Sequence, residues 1–530
     1  MRNDALFTTA VLGQFANSFA VINKKNYVFK AIFANADGYV TSFQKDAILD
    51  LKIEDIVYTP FFSGHIVIDN REDVIERFKS IPAKREFSNN ITSNLVGYRT
   101  RGDARDLLFL SIVPVPSQDP KIKNPYDSSN LQYNKIFAFQ CVFALSDETD
   151  VDTDKGKAKK YKIIDLDYVV LKDKKIFFST TNLLPGQKTA FLNDLDRRAY
   201  TGDSLKYILQ KGLSSPGAVF STLSGSNVVT PYFESGASKI FYSSPNDYSA
   251  YDDLMYMYNF HVSNSPGKDF SFLLKDGFTG EYTLESASNI FKKSYLKKGD
   301  IGGEYYIENL TIAGTQNSSP TNLAVNNIKK PYYALEMGET SDIIDVKFFN
   351  SPGLEFQNKI KTILVHNYDF DNNAFNINSV DGDIENVKND FTKLYVQPMK
   401  GKNNLPSPHF ILNNTQKTNL NFENHFLIYN QDNDLLKIAV GRNELLKRAL
   451  KLNIGVEIIV QGGLQRKAGK FISIDRTGTY IDNDFDDKFL GIYFILQVDH
   501  QFTGNNVYLN KILAVKTYQF TDPKYNENIP

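Results

Sequence analysis

The amino-acid sequence predicts a mainly β protein with an α+β middle region, and three observations lead to this fold class. Runs of alternating apolar and polar residues, rich in β-branched and aromatic side chains, occupy both ends of the chain. Two segments with helical spacing lie between these ends. At 530 residues the chain is also long enough for roughly three or four compact domains.

The first part is predicted over residues 26–195, after an N-terminal segment of residues 1–25, and consists of antiparallel strands. A polar, charged insert at residues 147–157 interrupts it and is predicted to be a solvated loop. Pro185 and Gly186 mark its end. The strand patterns lie at residues 27–33, 64–68, 107–113, 136–145, 161–166 and 175–178.

The middle part, residues 196–328, is predicted to be an α+β connecting domain. Its first helix covers residues 203–212 and is closed by Gly212. Ser249, with Asp252 three residues later, has the spacing of a capping box at the start of a second helix. One face of that helix carries Leu254, Met257, Tyr258 and His261. A strand pair follows at residues 269–274 and 280–284.

The last part is again β-rich and is predicted over residues 329–522, before a C-terminal tail of residues 523–530. Residues 369–420 are rich in Asn and Asp and contain three prolines, so they are predicted to be a loop-rich insertion. Residues 442–450 have the spacing of a helix. The strand patterns lie at residues 342–349, 360–365 and 452–519.

Charge and cysteine content narrow the classes of function. Sixty Lys and Arg against 61 Asp and Glu give a formal net charge of -1, so no global field favours nucleic acid or an anionic membrane. Cys141, the single cysteine, lies in an apolar run and is predicted to be a buried thiol. No stretch has the length of a membrane span or the pattern of a secretory signal. These features predict a soluble protein in a reducing compartment, without membrane insertion.

The motifs that could carry chemistry are incomplete. Asp150, Asp152 and Asp154 are spaced like the start of a calcium loop, but Lys155 replaces the required Gly and Tyr161 the closing Glu. The six histidines have no metal-ligand spacing, and no nucleophile elbow or phosphate loop occurs. The sequence therefore assigns no catalytic, cofactor-binding or metal residue, and we expect no cofactor and no enzyme activity.

Three smaller features have structural interpretations. The tripeptide of residues 101–103 spells Arg-Gly-Asp, but it precedes a strong strand and is expected to form a turn or ion pairs there. The basic, glycine-flanked residues 462–470 lack the spacing of a phosphate site and are predicted to be a hairpin tip or a loop that contacts another subunit. His500 is predicted to lie on a strand, packed or hydrogen-bonded.

An alternative function stays open at this point: a β-rich carbohydrate-active enzyme or a surface glycan-binding protein. Carboxylates are plentiful, and folding alone could bring a glycosidase pair together. The chain contains no Trp, so Tyr would have to supply every flat stacking platform for a sugar ring. The absence of Trp makes this alternative the less favoured one.

Three segments resemble the central baseplate hub proteins of contractile-tailed bacteriophages. Residues 51–108, with Gly64-His65-Ile66-Val67-Ile68, resemble the N-terminal tube-like domain of that family. Residues 245–274 resemble the helix and strand that join its two tube-like domains. Residues 452–512, with Gly491-Ile492-Tyr493-Phe494-Ile495 before Val498 and His500, resemble its C-terminal barrel. The inserts at residues 147–157 and 369–420 have no counterpart in the family.

The resemblance implies two tube-like antiparallel β-barrel domains joined by an α+β region, in a homotrimer that joins the hexameric tail tube to the trimeric central spike. A ring of six similar β units would match the tube, and exposed sheet edges would become subunit contacts. The implied partners are the tail tube or tube-initiator protein, the central spike protein and baseplate wedge proteins, with DNA only as passing cargo. The implied location is the virion tail baseplate, after assembly in the host bacterial cytoplasm.

Overall fold

A computed structural model provides the coordinates of the protein. It describes residues 19–22, 25–34, 40–42, 47–71, 73, 75–76, 106–115, 139–154, 156–183, 198–213, 228–265, 269–278, 280–287, 289–290, 307–312, 341–349, 363–369, 374–379, 424–429, 443, 447, 455–464, 466–476, 491–503 and 507–518. The expectations for the Arg-Gly-Asp tripeptide and for the C-terminal tail lie outside these ranges, as do most of those for the 369–420 insertion and the 442–450 helix.

Eight strands form the first part of the described chain: β1 Phe19–Ile22, β2 Lys25–Ala34, β3 Val40–Ser42, β4 Ile48–Ile56, β5 Ser63–Asp69, β6 Leu107–Val115, β7 Phe139–Thr153 and β8 Gly156–Asp165. They pair in the order β1-β2-β6-β7-β8-β5-β4, and each of these pairs is antiparallel. Leu51 and Ile53 alternate with Lys52 and Glu54, so one face of β4 enters the core and the other does not.

The predicted solvated loop at residues 147–157 is instead the end of the β7–β8 hairpin. Thr149 pairs with Lys160 and Thr153 with Gly156, and a bulge interrupts the register between Ser146 and Thr149. The side chains on this stretch are mostly exposed, as expected, but the backbone is extended. Cross-strand pairs of opposite charge explain how so polar a segment sustains a strand.

Three helices follow: α1 Leu166–Asp173, α2 Thr201–Leu213 and α3 Ala250–Asn259. The predicted capping box is present at α3, where the Ser249 hydroxyl accepts from the Asp252 N–H and the Asp252 carboxylate accepts from the Ser249 N–H. Gly212 lies inside α2 and does not close it. A Cβ at Gly212 would meet the Leu171 side chain at 2.3 Å, so this glycine allows α1 and α2 to approach closely.

The middle part also contains short strands, and its helices pack onto the first part. These strands are β9 Ala199–Tyr200, β10 Lys239–Ile240, β11 Ser271–Lys275 and β12 Tyr282–Ser286. Leu205, Ile208 and Leu254 share one apolar core with Phe109 and Val142 of β6 and β7. Burying side chains of this kind stabilises the fold by about 1.5–3 kcal/mol each. The helices therefore cover one face of β6, β7 and β8.

The last part adds the strands β13 Ile307–Ile312, β14 Ser341–Phe349, β15 Ile363–Asp369, β16 Ala374–Ser379, β17 Asn424–Tyr429, β18 Gly455–Gln461, β19 Phe471–Arg476, β20 Gly491–Thr503 and β21 Val507–Tyr518. β15, β16 and β17 form a separate three-stranded sheet. The pairings of the other six run β20-β19-β13-β14-β18-β21 and return to β20. Two of these contacts, β13 with β14 and β13 with β19, are parallel.

The two β-rich parts share one sheet because β4 pairs antiparallel with β20. Ile56 lies opposite Gln497, and Asp50 lies opposite Thr503. Phe502 and Tyr508 of the last part are buried in the core of the first part. The mainly β, antiparallel character with an α+β middle is confirmed. The two barrels stay a prediction, since the described strands of the first part pair in an open row.

Candidate functional site

The first candidate surface lies on the same face of the sheet as the helices, beyond the part that the helices cover, and we name it the polar face. It spans β18, β21, β20, β4, β5 and β8 and therefore belongs to both β-rich parts. Its polar side chains, which are half-buried or exposed except for the buried Asp499, alternate with core residues along each strand. The polar face consists of Glu457, Lys511, Gln497, Asp499, Asp50, Lys52, Glu54, Ser63, His65 and Lys162.

Ion pairs run across the strands of the polar face. Lys511 contacts Glu457 at 3.0 Å, and Lys52 contacts both Asp499, at 2.9 Å, and Glu54, at 2.7 Å. Burial lowers the pKa of Lys52, but its hydrogen bonds to the two carboxylates outweigh burial and raise that pKa above its usual value. Because most of these groups are partly solvated, each pair contributes only about 0–1 kcal/mol. The result is a hydrophilic surface whose charges are largely balanced.

The second candidate site is a junction loop, residues 462–470, where the three parts of the chain meet. The loop is not a hairpin tip, because β18 and β19, the strands that it joins, do not pair with each other. Its Arg466 is 2% exposed. The Arg466 guanidinium donates to the Gln461 carbonyl and, at 2.7 Å, to the Asn510 side-chain oxygen. A buried guanidinium is tolerated where acceptors satisfy its donors. These contacts fasten the loop to β18 and β21.

The next residues of the junction loop reach the other two parts. The Lys467 ammonium lies 2.7 Å from Asp276, in the turn between β11 and β12, and 3.5 Å from the centre of the Phe278 ring. The Ala468 N–H donates to Asp55 on β4 at 3.0 Å. Gly469 adopts φ +82, and a Cβ there would meet Leu274 at 2.7 Å. The loop thus contacts the first, middle and last parts within four residues.

His500 lies on β20 beside the junction loop, as predicted, and is buried. Its Nδ1 lies 2.7 Å from the Tyr508 hydroxyl and 2.9 Å from the Asn510 amide nitrogen, which donates to it. Burial, together with nearby Arg466 and Lys467, lowers the pKa of His500 to about 3. The imidazole is therefore neutral at physiological pH and acts as a fixed acceptor in the core.

A buried carboxylate pair does occur, but a lysine lies between its members. The Lys275 ammonium is 2.6 Å from Asp165 and 2.6 Å from Asp167, and all three side chains are buried. The Tyr282 hydroxyl donates to Asp167 at 2.8 Å. Burial raises the pKa of Asp165, although Lys275 opposes this. Both carboxylates share one cation in the interior, which is a geometry suited to fixing β8, α1 and β11 together.

A serine and a histidine also come into contact in the middle part. His261 Nε2 lies 3.2 Å from the Ser271 hydroxyl, while its Nδ1 faces the Thr201 hydroxyl at 3.0 Å. A Ser–His nucleophile needs a carboxylate on the second ring nitrogen. Here Ser271 donates instead to Glu234 at 3.1 Å, and both Ser271 and His261 are buried. These residues form a packed hydrogen-bond network.

The remaining sequence expectations concern metals, thiols and membranes. Among the described residues no three His, Cys, Asp or Glu side chains are grouped as metal ligands. Asp150 and Asp152 lie on the extended strand β7, and Cys141 is buried, as expected. In the part of the chain that the structure describes, no helix is long and apolar enough to span a membrane. The alternation of apolar and charged residues at positions 50–54 is the sequence signal from which the polar face was predictable, although no such surface was predicted from it. No local pattern indicates the Lys275 cluster.

Comparison with known proteins gave matches to solved structures alone. No protein-family model and no curated protein sequence matches the chain. A tail protein from Neisseria meningitidis MC58 is 8% identical, with a TM-score of 0.42 and coverage of 93% of this chain and 99% of that one. The 43 kDa tail protein of prophage MuSo2 from Shewanella oneidensis is also 8% identical, with a TM-score of 0.39 and coverage of 94% and 100%.

A third similar structure is a component of the type VI secretion system of E. coli, described as similar to bacteriophage T4 tail proteins. It is 8% identical, with a TM-score of 0.33 and coverage of 89% of this chain and 74% of that one. The solved structures similar to this chain thus include phage tail proteins and a secretion-system component.

Proposed function

We propose that this protein is a structural, non-enzymatic subunit of a contractile tail, the baseplate hub that joins the hexameric tail tube to the trimeric central spike. In this role it acts as a homotrimer in the virion tail baseplate after assembly in the host bacterial cytoplasm. The three segments that resemble hub proteins, residues 51–108, 245–274 and 452–512, occur in the family's order.

The observation that carries the proposal is the pairing of β4 with β20. This pairing merges the two β-rich parts into one sheet and gives them a common polar face. A continuous sheet with one packed face and one hydrophilic face is suited to form part of a wall. Three such walls around a threefold axis would present six β units, and the polar face would line the tail channel, with DNA as passing cargo.

The domain limits belong to the same proposal. We assign the first tube-like domain to residues 26–195, the connecting domain to residues 196–328 and the second tube-like domain to residues 329–522. The cyclic pairing of β20, β19, β13, β14, β18 and β21 supports a barrel in the second domain. The partners in this role are the tail tube or tube-initiator protein, the central spike protein and baseplate wedge proteins.

Native mass measurement and electron microscopy of the purified protein test the proposal. We expect a trimer of three 60.1 kDa chains and a ring with threefold or pseudo-sixfold symmetry. Addition of the tube protein and the spike protein from the same virion should give binding at opposite ends of the ring. A chain that stays monomeric at high concentration and binds neither partner would contradict the assignment.

A further inference from the structure

Large apolar side chains are exposed at a few described positions, and three of these positions share one face. They are Phe177, 64% exposed, Tyr200, 38%, and Phe241, 38%; the other two, Tyr232 and Ile344, lie elsewhere. Lys239 pairs with Tyr200 across β9 and β10, and its ammonium lies 4.4 Å from the centre of the Tyr200 ring. We name Phe177, Tyr200, Lys239 and Phe241 the aromatic face.

The backbone explains why these side chains share a face. Residues 239–243 are extended, and Ile240 and Tyr242 point into the core, so Lys239, Phe241 and Ser243 point outward. Ser179 bridges to Ser243, which places Phe177 toward the far end of the same face. Exposed aromatic side chains that share a face with a cation are typical of protein contact sites.

Phe177 has a second unusual property: its φ is +47. For a bulky residue this backbone conformation is strained, typically by about 1–3 kcal/mol. The Phe177 ring is exposed to water in the monomer, so no burial of apolar surface compensates for the backbone strain there. A contact that buries the ring would offset the cost.

The complementary surface lies on the β7–β8 hairpin. Asp147, at φ +51, follows the bulge at Ser146, and Asp147, Asp150 and Asp152 are exposed. Beyond Ala144 none of the described strands pairs with the second edge of β7. We name Asp147, Asp150 and Asp152 the acidic edge. Thr149 and Val151 alternate with Asp150 and Asp152 along β7, so they lie on the opposite face of the strand from these two carboxylates. Asp150 also lies 3.4 Å from the Lys159 ammonium.

We propose that the acidic edge of one copy of this chain docks on the aromatic face of the next copy. Lys239 then receives the carboxylates, and Phe177 and Phe241 pack beside them along the edge of β7. A contact between two different surfaces, repeated around a threefold axis, closes a ring. This contact rests on the proposed homotrimer and names the surfaces that form it. Complementary charge fixes the choice of partner and register.

Charge reversal and charge exchange test the contact by sedimentation of the full chain. Lys239→Glu, and separately Asp147→Lys with Asp152→Lys, should each weaken self-association by about tenfold or more, because like charges then face each other. Combining all three substitutions should restore most of the association. Ile344→Ser and Asp345→Lys, exposed on β14, serve as matched controls and should leave association unchanged.

The variant Phe177→Gly distinguishes an effect on self-association from an effect on the stability of the folded chain. Glycine accepts a positive φ without strain, so the melting temperature of the dissociated chain should stay equal or rise, while self-association weakens by about tenfold. If the charge variants still form the trimer as the wild type does, or if the triple variant fails to restore association, the proposed contact is wrong. Either result leaves the hub assignment standing. A wild-type chain that never self-associates overturns both.

Discussion

Lys275 joins three elements through two buried carboxylates, so its removal should be costly. In Lys275→Met, Asp165 and Asp167 would keep their burial but lose their common cation. We expect a loss of about 3–5 kcal/mol of stability, because an uncompensated charge remains inside the protein. Urea unfolding followed by circular dichroism measures the change.

Lys206→Met, at an exposed position on α2, is the matched control and should change stability by less than about 0.5 kcal/mol. If Lys275→Met unfolds at the same urea concentration as the wild type, the cluster does not hold β8, α1 and β11 together.

Asp55 should make part of the stability depend on pH. Burial raises the pKa of this carboxyl to about 7, although the Ala468 N–H and Lys467 oppose the shift. Between about pH 4 and pH 7 the folded protein keeps a proton that the unfolded chain has released. The contribution of Asp55 to stability is therefore greatest below about pH 4 and falls as the pH rises toward 7. The difference in melting temperature between Asp55→Asn and wild type should grow in favour of the variant over this range.

Burial has the opposite consequence for His500, which the sequence placed correctly on a buried strand. Its pKa is lowered to about 3. Between pH 6.5 and pH 3 the histidine is therefore protonated in the unfolded chain but neutral in the folded chain. Stability is lost as the pH falls from 6.5 toward 3. In His500→Gln the melting temperature should be lower at pH 7.5, but it should drop less between pH 7.5 and pH 5. An acid-induced drop equal to that of wild type would show that His500 is not buried neutral.

Among the elements, the start of α2 packs closely against the backbone of Glu234 and Ser235. A Cβ at Gly202 would meet the Glu234 carbonyl oxygen at 2.0 Å and the Ser235 carbonyl carbon at 2.6 Å. Gly202→Ala should therefore destabilise the protein by about 1–3 kcal/mol through overpacking, although alanine is the better helix former. The thermal midpoint measures the loss, and Lys206→Ala, exposed on the same helix, is the control. An unchanged midpoint for Gly202→Ala would contradict this packing.

Local sequence patterns predicted the helices and strands better than they predicted the contacts between them. The capping box at Ser249 was readable because it needs two residues at a fixed spacing. The β7–β8 hairpin was misread because charged residues within a strand look like a loop until the opposing strand is known. Arg466 was misread for a related reason, since its acceptors, Gln461 and Asn510, are brought to it only by folding.

At the scale of the whole molecule, the junction loop should couple the stability of all three parts. Lys467→Ala removes the contact with Asp276 and loosens the loop that Asp55 holds. We expect faster amide hydrogen exchange both at the end of β4 and in the β11–β12 turn. Lys511→Ala, whose ion pair with Glu457 stays within the last part, should affect neither. Exchange that changes in the turn alone would show that the loop does not couple the parts.

The sequence could predict three parts but not how they join. Period-two patterns define which residues of β4 and β20 face a core, yet they carry no information on which strand pairs with which. The polar face depends on that pairing, because Lys52 and Asp499 come from opposite ends of the chain. The same limit applies to the cycle of six strands in the last part.

The pairing of β4 with β20 also determines how late during translation the sheet can be completed. Ile56 meets Gln497 across more than four hundred residues of sequence. At about 5–20 residues per second, translation leaves β4 without that neighbour for tens of seconds. During this interval β4 exposes an unpaired edge, and the first core lacks Phe502 and Tyr508. The nascent chain is therefore a natural client for chaperones, and its slowest folding step should be the arrival of its final hairpin.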